Sequence, residues 1–276
     1  MSAGVRMPAQ GGHDRNKMIP TFIISLSEET ARREAIAAHL KDRGFNFEFF
    51  DAVDGRQMNV LNHPDYNAPR RRAAHGRDLK PGELGCFLSH RNFYRFMVKN
   101  DIDYALLLED DARLHESTKA TLEALIDKDI AFDIIRLLGS PKVAKGKHRK
   151  ITPLYKDFHL VRLRTAPGGA HATLISRQGA EKLVRATEKF AFPIDTVLGR
   201  GWETGITAFS IQPGLAVQDL SFDSAIGEER HDKSVTPKGL KFKCTRLAFK
   251  ISEALGKAWV YWSTRASDLA ISKKFS

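Results

Sequence analysis

Leu106-Leu107-Leu108 runs without a break into Glu109-Asp110-Asp111, and no other local pattern in the chain constrains its fold as tightly. The apolar run reads as a buried strand, so three carboxylates must emerge together at its carboxyl end. Carboxylates crowded in this way raise one another's pKa and lower stability unless a cation, a basic group or solvent relieves them. A hard divalent ion offers that relief. Magnesium or manganese held by one or two carboxylates completes its shell with water and substrate phosphate oxygens, which points to a nucleoside diphosphate nearby. Taken alone, the triplet also fits an exposed acidic turn.

With 276 residues, 42% of them hydrophobic, the chain can bury a core sufficient for one large domain, or for one domain with an appendage. Residues 1–18 read as a flexible tail of Gly, Pro, Gln and charges, without the apolar centre of a secretory signal. No stretch offers about 18 uninterrupted apolar residues, and the expected location is the cytoplasm. Two cysteines, Cys86 and Cys244, support neither a disulfide framework nor a cysteine zinc site, and both read as plain thiols. The net charge of +11 is uneven: from Lys233 onward, ten Lys or Arg face only Glu253 and Asp268. Such asymmetry points to an anionic surface rather than to a uniformly basic fold.

Along the chain, Ile19 to Leu26 reads as a strand. Ser27 then caps a helix that carries Ala35, Ile36 and Leu40 and stops at Gly44. Phe45 to Phe49 alternates as a second strand, and Asp51-Ala52-Val53-Asp54-Gly55 closes it in a turn. Asn59 to Arg77 reads as an irregular loop with an Arg70-Arg71-Arg72 cluster. Pro81 opens a helix to about Lys99, and the acidic strand follows. Next come a helix near Ser117 to Lys128, a strand Phe132 to Leu138 and a basic loop Lys142 to Lys150. Short strands follow at Ile151 to Tyr155, His159 to Leu163 and Ala170 to Ser176, then a helix from about Gln178 to Glu188. The pattern predicts an α/β fold with a mixed second half. Residues 19–232 form its main domain and residues 233–276 a basic amphipathic tail. In that tail Leu247, Ile251, Leu255, Ala258 and Trp262 share one helical face. With Trp259, Tyr261 and the lysines around them, this suits an acidic membrane surface, or alternatively a terminal helix docked on its own domain.

Five segments together resemble glycosyltransferase family 25. They are Ile23-Ile24-Ser25-Leu26 with Arg32-Arg33 behind it, Asp51 to Gly55, Gly82-Glu83-Leu84-Gly85-Cys86-Phe87-Leu88-Ser89-His90, Leu107 to Asp111, and Ile175 to Ala180 leading into Pro193-Ile194-Asp195. The resemblance spans about Ile19 to Ile226, and the Gly82 to His90 run is its specific piece. It departs at Ala170-His171-Ala172-Thr173, where such proteins often carry an aromatic residue.

The resemblance implies a GT-A-like nucleotide-sugar-binding domain and an inverting transfer of a hexose, galactose by preference, from a UDP-sugar to a glycan acceptor such as lipopolysaccharide core. Manganese or magnesium would assist, at the cytoplasmic face of a membrane. Asp111 is then the leading metal ligand, with Asp110 beside it, and Glu109 and Asp110 also stand near the ribose or metal-bound water. Ser25, Arg33, Asp51 and Asp54 are the nucleotide-side candidates. Asp195 leads as the base that takes the acceptor proton, and Glu83 is its rival, although a Glu at a helix start also serves as a cap. His90 reads as a buried histidine able to brace the acidic site, and His231 as a more distant metal candidate. Two other classes compete. A metal-dependent phosphohydrolase would use the same acids, but no second ligand cluster or phosphate loop is present. A nucleic-acid-binding protein would use the basic segments, but no recognition motif accompanies them, and no nucleic-acid partner is expected.

Overall fold

The computed structural model describes residues 18–139, 145–165, 168–219 and 239–275. Its strands are β1 (Thr21–Ser25), β2 (Glu48–Asp51), β3 (Tyr104–Glu109), β4 (Ala112–Leu114), β5 (Ile134–Arg136), β6 (His148–Pro153), β7 (His159–Leu163), β8 (Ala172–Ser176), β9 (Ala208–Gln212) and β10 (Ala216–Gln218). The helices are α1 (Thr30–Asp42), α2 (Ala68–His75), α3 (Pro81–Lys99), α4 (Thr118–Asp127), α5 (Arg177–Ala186), α6 (Ile194–Leu198), α7 (Gly201–Thr204), α8 (Leu240–Ser263) and α9 (Arg265–Lys274).

Eight strands form one mixed sheet in the order β2-β1-β3-β8-β5-β9-β7-β6. β1 runs parallel to β2 and β3, whereas β8 is antiparallel to both β3 and β5. β4 and β10 pair separately as a short antiparallel ribbon. Strand periodicity explains why Leu106 to Leu108 is apolar throughout. Leu107, Phe22 and Ile24 join a core layer with α3 and α5, while Leu106, Leu108 and Ile23 join the opposite layer with α1 and α4. Both faces are covered, so alternation between apolar and polar residues disappears. Each such leucine contributes about 1.5–3 kcal/mol by leaving water.

The fold agrees with the expected α/β class and corrects several boundaries. α1 begins at Thr30, with Glu29 in the cap position and no side-chain cap bond, so Ser27 does not start it. β2 begins at Glu48 rather than Phe45, because Phe45 is buried just beyond the Gly44 turn, which takes a φ of +73°. The expected loop at Asn59 to Arg77 contains α2, capped by Asn67, whose Oδ1 accepts from the Arg70 amide at 3.0 Å. Its arginines are engaged within the protein: Arg70 pairs with Glu203, Arg72 with Asp78, and Arg71 is buried. β9, unmarked by any alternation, lies inside the sheet.

The tail is docked. Phe249 of α8 packs 5.5 Å from the rings of both Phe192 and His75. Asp268 of α9 is fully buried and accepts from Arg162 at 2.7 Å and Arg149 at 2.5 Å. No helix among the described residues is long and apolar enough to cross a membrane.

Candidate active site

Strand register assembles the site. Ser25 stands opposite Asp51, and Ile24 opposite Glu109, across parallel pairs. The carboxyl ends of β1, β2 and β3 therefore meet at one edge, the place where open α/β sheets bind ligands. A cavity of about 630 Å³ opens there, lined by Ser25, Asp54 and the acidic triplet from the first half and by residues 168–171, Asp195 and Gln218 from the second.

The Gly82 to His90 run explains itself physically. Glu83 Oε2 accepts the Lys80 amide at 2.9 Å and caps α3, with Arg77 at 3.3 Å. Gly85 lies against the turn after β2, where an added Cβ would stand 2.7 Å from both Gly55 N and Val53 O. Ser89 Oγ accepts the Val53 amide at 2.8 Å and donates to Gly85 O at 2.7 Å. One helical face thus holds the turn that carries Asp54, and Cys86 and His90, one turn apart, reach the floor of the cavity.

The three acids have different surroundings. Asp110 is buried; Ser25 Oγ donates to its Oδ2 at 2.7 Å, and Arg32 donates to its Oδ1 through Nε at 2.9 Å and through Nη2. Asp111 accepts from Gln218 Nε2 at 3.2 Å through Oδ2, while its Oδ1 is buried without a hydrogen-bond partner. Burial raises the Asp111 pKa, Arg32 opposes that rise, and Asp110 adds to it. Glu109 lies at the floor, its Oε1 3.6 Å from His90 Nε2 and 3.8 Å from Cys86 Sγ. Burial, followed by the charges of Asp111, Asp110 and Asp195, pushes its carboxyl up to about 8. His90 Nδ1 donates to Cys86 O at 3.0 Å, because a carbonyl only accepts, and the ring's second nitrogen faces Glu109.

These residues fit a divalent cation. A partnerless buried carboxylate oxygen beside a carboxyl forced toward its neutral form is the electrostatic deficit that such an ion repairs. Cys86, His90 and Glu109 also bring a sulfur, a ring nitrogen and a carboxylate oxygen within 4.8 Å of one another, a donor set that widens the range toward softer metals.

Asp195 lies in the first turn of α6, behind Pro193 in the N-cap position. Its Oδ1 accepts the Thr196 amide at 2.7 Å and its Oδ2 the Gly169 amide at 3.3 Å. Gly169, at a φ of +87°, also takes a bond from the buried Arg136 at its carbonyl. Arg136 and Asp195 thus grip one glycine loop from two sides.

The nucleotide-side candidates separate. Ser25 and Asp54 line the cavity; Arg33 and Asp51 do not, and they pair with each other at 2.5 Å while Arg33 covers the Phe49 ring. Asp54 is exposed and bound by Arg56 at 2.9 Å, a contact that lowers its pKa. His231 lies outside the described residues. Arg32 rather than Arg33 faces the acids, as its spacing from the buried Ile36 and Leu40 on the same helical stripe indicates. Gln218 has no comparable signal, because a three-residue strand carries no readable period.

Burial presses His75, His90 and His171 each down to about 4. Such groups support the fold above their unfolded pKa of about 6.5 and withdraw that support as pH falls through about 4. Glu109, from about pH 4.5 to about 8, and Asp111, also raised, work in the opposite direction, while His39 and His63, also lowered by burial, act with the three rings. The urea midpoint of the metal-free protein is expected to fall steeply between pH 6.5 and 4.5; a flat profile would show that these rings are solvated.

The fold and site define an α/β protein that gathers carboxylates at the carboxyl edge of its parallel strands. Residues 18–198 match the model of glycosyltransferase family 25 (LPS biosynthesis protein), and the chain belongs to that family. Similar relatives include procollagen galactosyltransferase 1 of Danio rerio, 29% identical over 70% of this chain and 32% of that protein. Procollagen galactosyltransferase 1-B of Xenopus laevis is 30% identical over 63% of this chain and 29% of its own length. A Bos taurus protein named "Probable inactive glycosyltransferase 25 family member 3" is 29% identical over 76% of this chain and 38% of its own length. The chain thus spans roughly a third of these relatives.

Proposed function

We propose that the chain is an inverting glycosyltransferase that moves a hexose, galactose in this reading, from a UDP-sugar to a glycan acceptor such as lipopolysaccharide core at the cytoplasmic face of a membrane. The buried, partnerless Oδ1 of Asp111, beside Glu109 in the cavity that Asp195 also lines, is the observation that carries it. Galactose follows the relatives' names, and lipopolysaccharide the family description.

Asp111 and Glu109 would hold the divalent ion, which when bound neutralises charge developing on the departing diphosphate. Asp110 acts through Arg32 and Ser25: both of its oxygens are taken up, and the resulting clamp fixes the turn from which Asp111 projects. Ser25 and Asp54 stand where a ribose or base would lie. Asp195, oriented by two backbone amides, accepts the proton of the attacking hydroxyl. Glu83 keeps α3 capped and the Gly85 contact in place, so it positions the donor side rather than exchanging protons.

A donor panel of UDP-galactose, UDP-glucose and UDP-N-acetylglucosamine, offered with deacylated lipopolysaccharide and manganese, tests the reading. One donor is expected to give product. Asp195→Asn is expected to lower kcat by about 10²–10⁴-fold with an unchanged donor KM. An unaffected Asp195→Asn enzyme would remove the proposed base, and failure of every donor would align the chain with its inactive-named relative.

A further inference from the structure

α8 presents two unlike faces. On the docked side Gly256 meets the Trp202 indole so closely that a Cβ would lie 2.4 Å from it, and Glu253 pairs with Arg200 and, at 3.0 Å, with Lys257. On the other side Leu247, Ile251, Leu255 and Trp259 recur every fourth residue and Trp262 extends the row, each between 51% and 66% exposed. A helix held this firmly cannot turn its apolar row inward.

Beside that row lies a second feature. Lys250 and Lys257, two turns apart on one flank, face Lys147 and Arg164 across a cavity of about 600 Å³. The one acidic side chain lining it, Glu253, is shared between Lys257 and Arg200, so the four cations outnumber it. Ala254 and Ala258 line the same cavity, and helical spacing sets them between the lysine flank and the apolar row. The basic recess and the apolar stripe are therefore adjacent.

We propose that this face of α8 docks on an anionic phospholipid bilayer, the row Leu247 to Trp262 entering the headgroup boundary and the recess taking a lipid phosphate. Amphipathic helices with aromatic and aliphatic residues on one face and lysines along its flank bind in this way. A second copy of the chain fits less well, since pairing two such faces would bring the Lys250 and Lys257 flanks together. The inference stands independently of sugar transfer, but it would place the carboxylate cavity beside lipid-borne acceptors.

The test uses the full chain with sedimented vesicles of phosphatidylcholine, with and without phosphatidylglycerol. Binding is expected only with the anionic lipid, with a blue shift of tryptophan fluorescence and about a tenfold loss of binding on raising salt. Ile251→Ser with Leu255→Ser, and separately Lys250→Gln with Lys257→Gln, should each weaken binding about tenfold or more while UDP binding is retained. Glycerol phosphate should not compete if both the stripe and the recess are needed. Equal binding to neutral vesicles, unaltered binding by the Ser variant, dimerisation that protects Trp259 from quenchers, or preferential retention of RNA would each overturn the proposal.

Discussion

Asp111→Asn is expected to abolish metal-dependent binding of UDP and to lower kcat by about 10²–10³-fold or more, while leaving the metal-free protein as stable as the parent or more so. Asparagine keeps the shape and the acceptor for Gln218, whose Nε2 lies 3.2 Å from Asp111 Oδ2. What it removes is one of the charges crowded around Glu109, together with a 3.8 Å ion pair to Arg32, which keeps its shorter bonds to Asp110. After burial, Asp111 is the largest cause of the rise of the Glu109 carboxyl to about 8. A carboxyl raised in this way supports the native state below its unfolded pKa and loses that support as pH rises through about 8. Relief of the repulsion should therefore show as a higher Tm above neutral pH without metal, and as loss of the further Tm gain that manganese gives the parent. Calorimetric melting with and without manganese checks both signs. A variant less stable without metal would mean that Asp111 is a structural carboxylate.

Gly85→Ala is expected to disable the donor side through the backbone alone. The new methyl would lie 2.7 Å from Gly55 N and Val53 O and 2.9 Å from Gly55 Cα, all main-chain atoms that no rotamer change can move. Overpacking of this kind costs about 1–3 kcal/mol, and more where the backbone is fixed. Here Ser89 and the Glu83 cap hold α3 while the Ser25 carbonyl, accepting from the Ala52 amide at 2.9 Å, holds the turn. The turn carrying Asp54 must shift. Urea unfolding should show the stability loss, and UDP affinity should fall although no charged group has changed. Unchanged affinity in a destabilised protein would detach the Asp54 turn from the donor site.

What could be read from the chain follows from how local each cause is. Pro81 and Glu83 announce a capped helix because proline and cap act within a turn, whereas the close approach at Gly85 shows only once Val53 and Gly55 are in place. The acids after Leu108 announce a strand end because apolar burial on two faces leaves a continuous run. Partners distant in sequence leave no such mark. Arg162 looks like an ordinary charge in β7, and its burial is explained by Asp268, 106 residues away, with the Ala208 carbonyl and the Phe209 ring of β9. α2 was hidden because three consecutive arginines obscure the helical period. Among the acids, sequence treats Asp110 and Asp111 alike. Their difference comes from Arg32 and Ser25 hydrogen-bonding one, while the other takes its bond from Gln218 and only a longer 3.8 Å ion pair to Arg32, which requires β1, α1 and β10 to be in place. Arg33 was the more conspicuous choice beside the β2 turn, yet the stripe of Ile36 and Leu40 selects Arg32.

Titration calorimetry of UDP into the full chain, with manganese and then with chelator, tests the central claim most directly. Tight binding with manganese, at least about tenfold weaker with chelator and equally weak in Asp111→Asn, is the predicted result. Binding indifferent to both the metal and Asp111 would contradict the assignment of the carboxylate cavity as a metal-assisted nucleotide-sugar site.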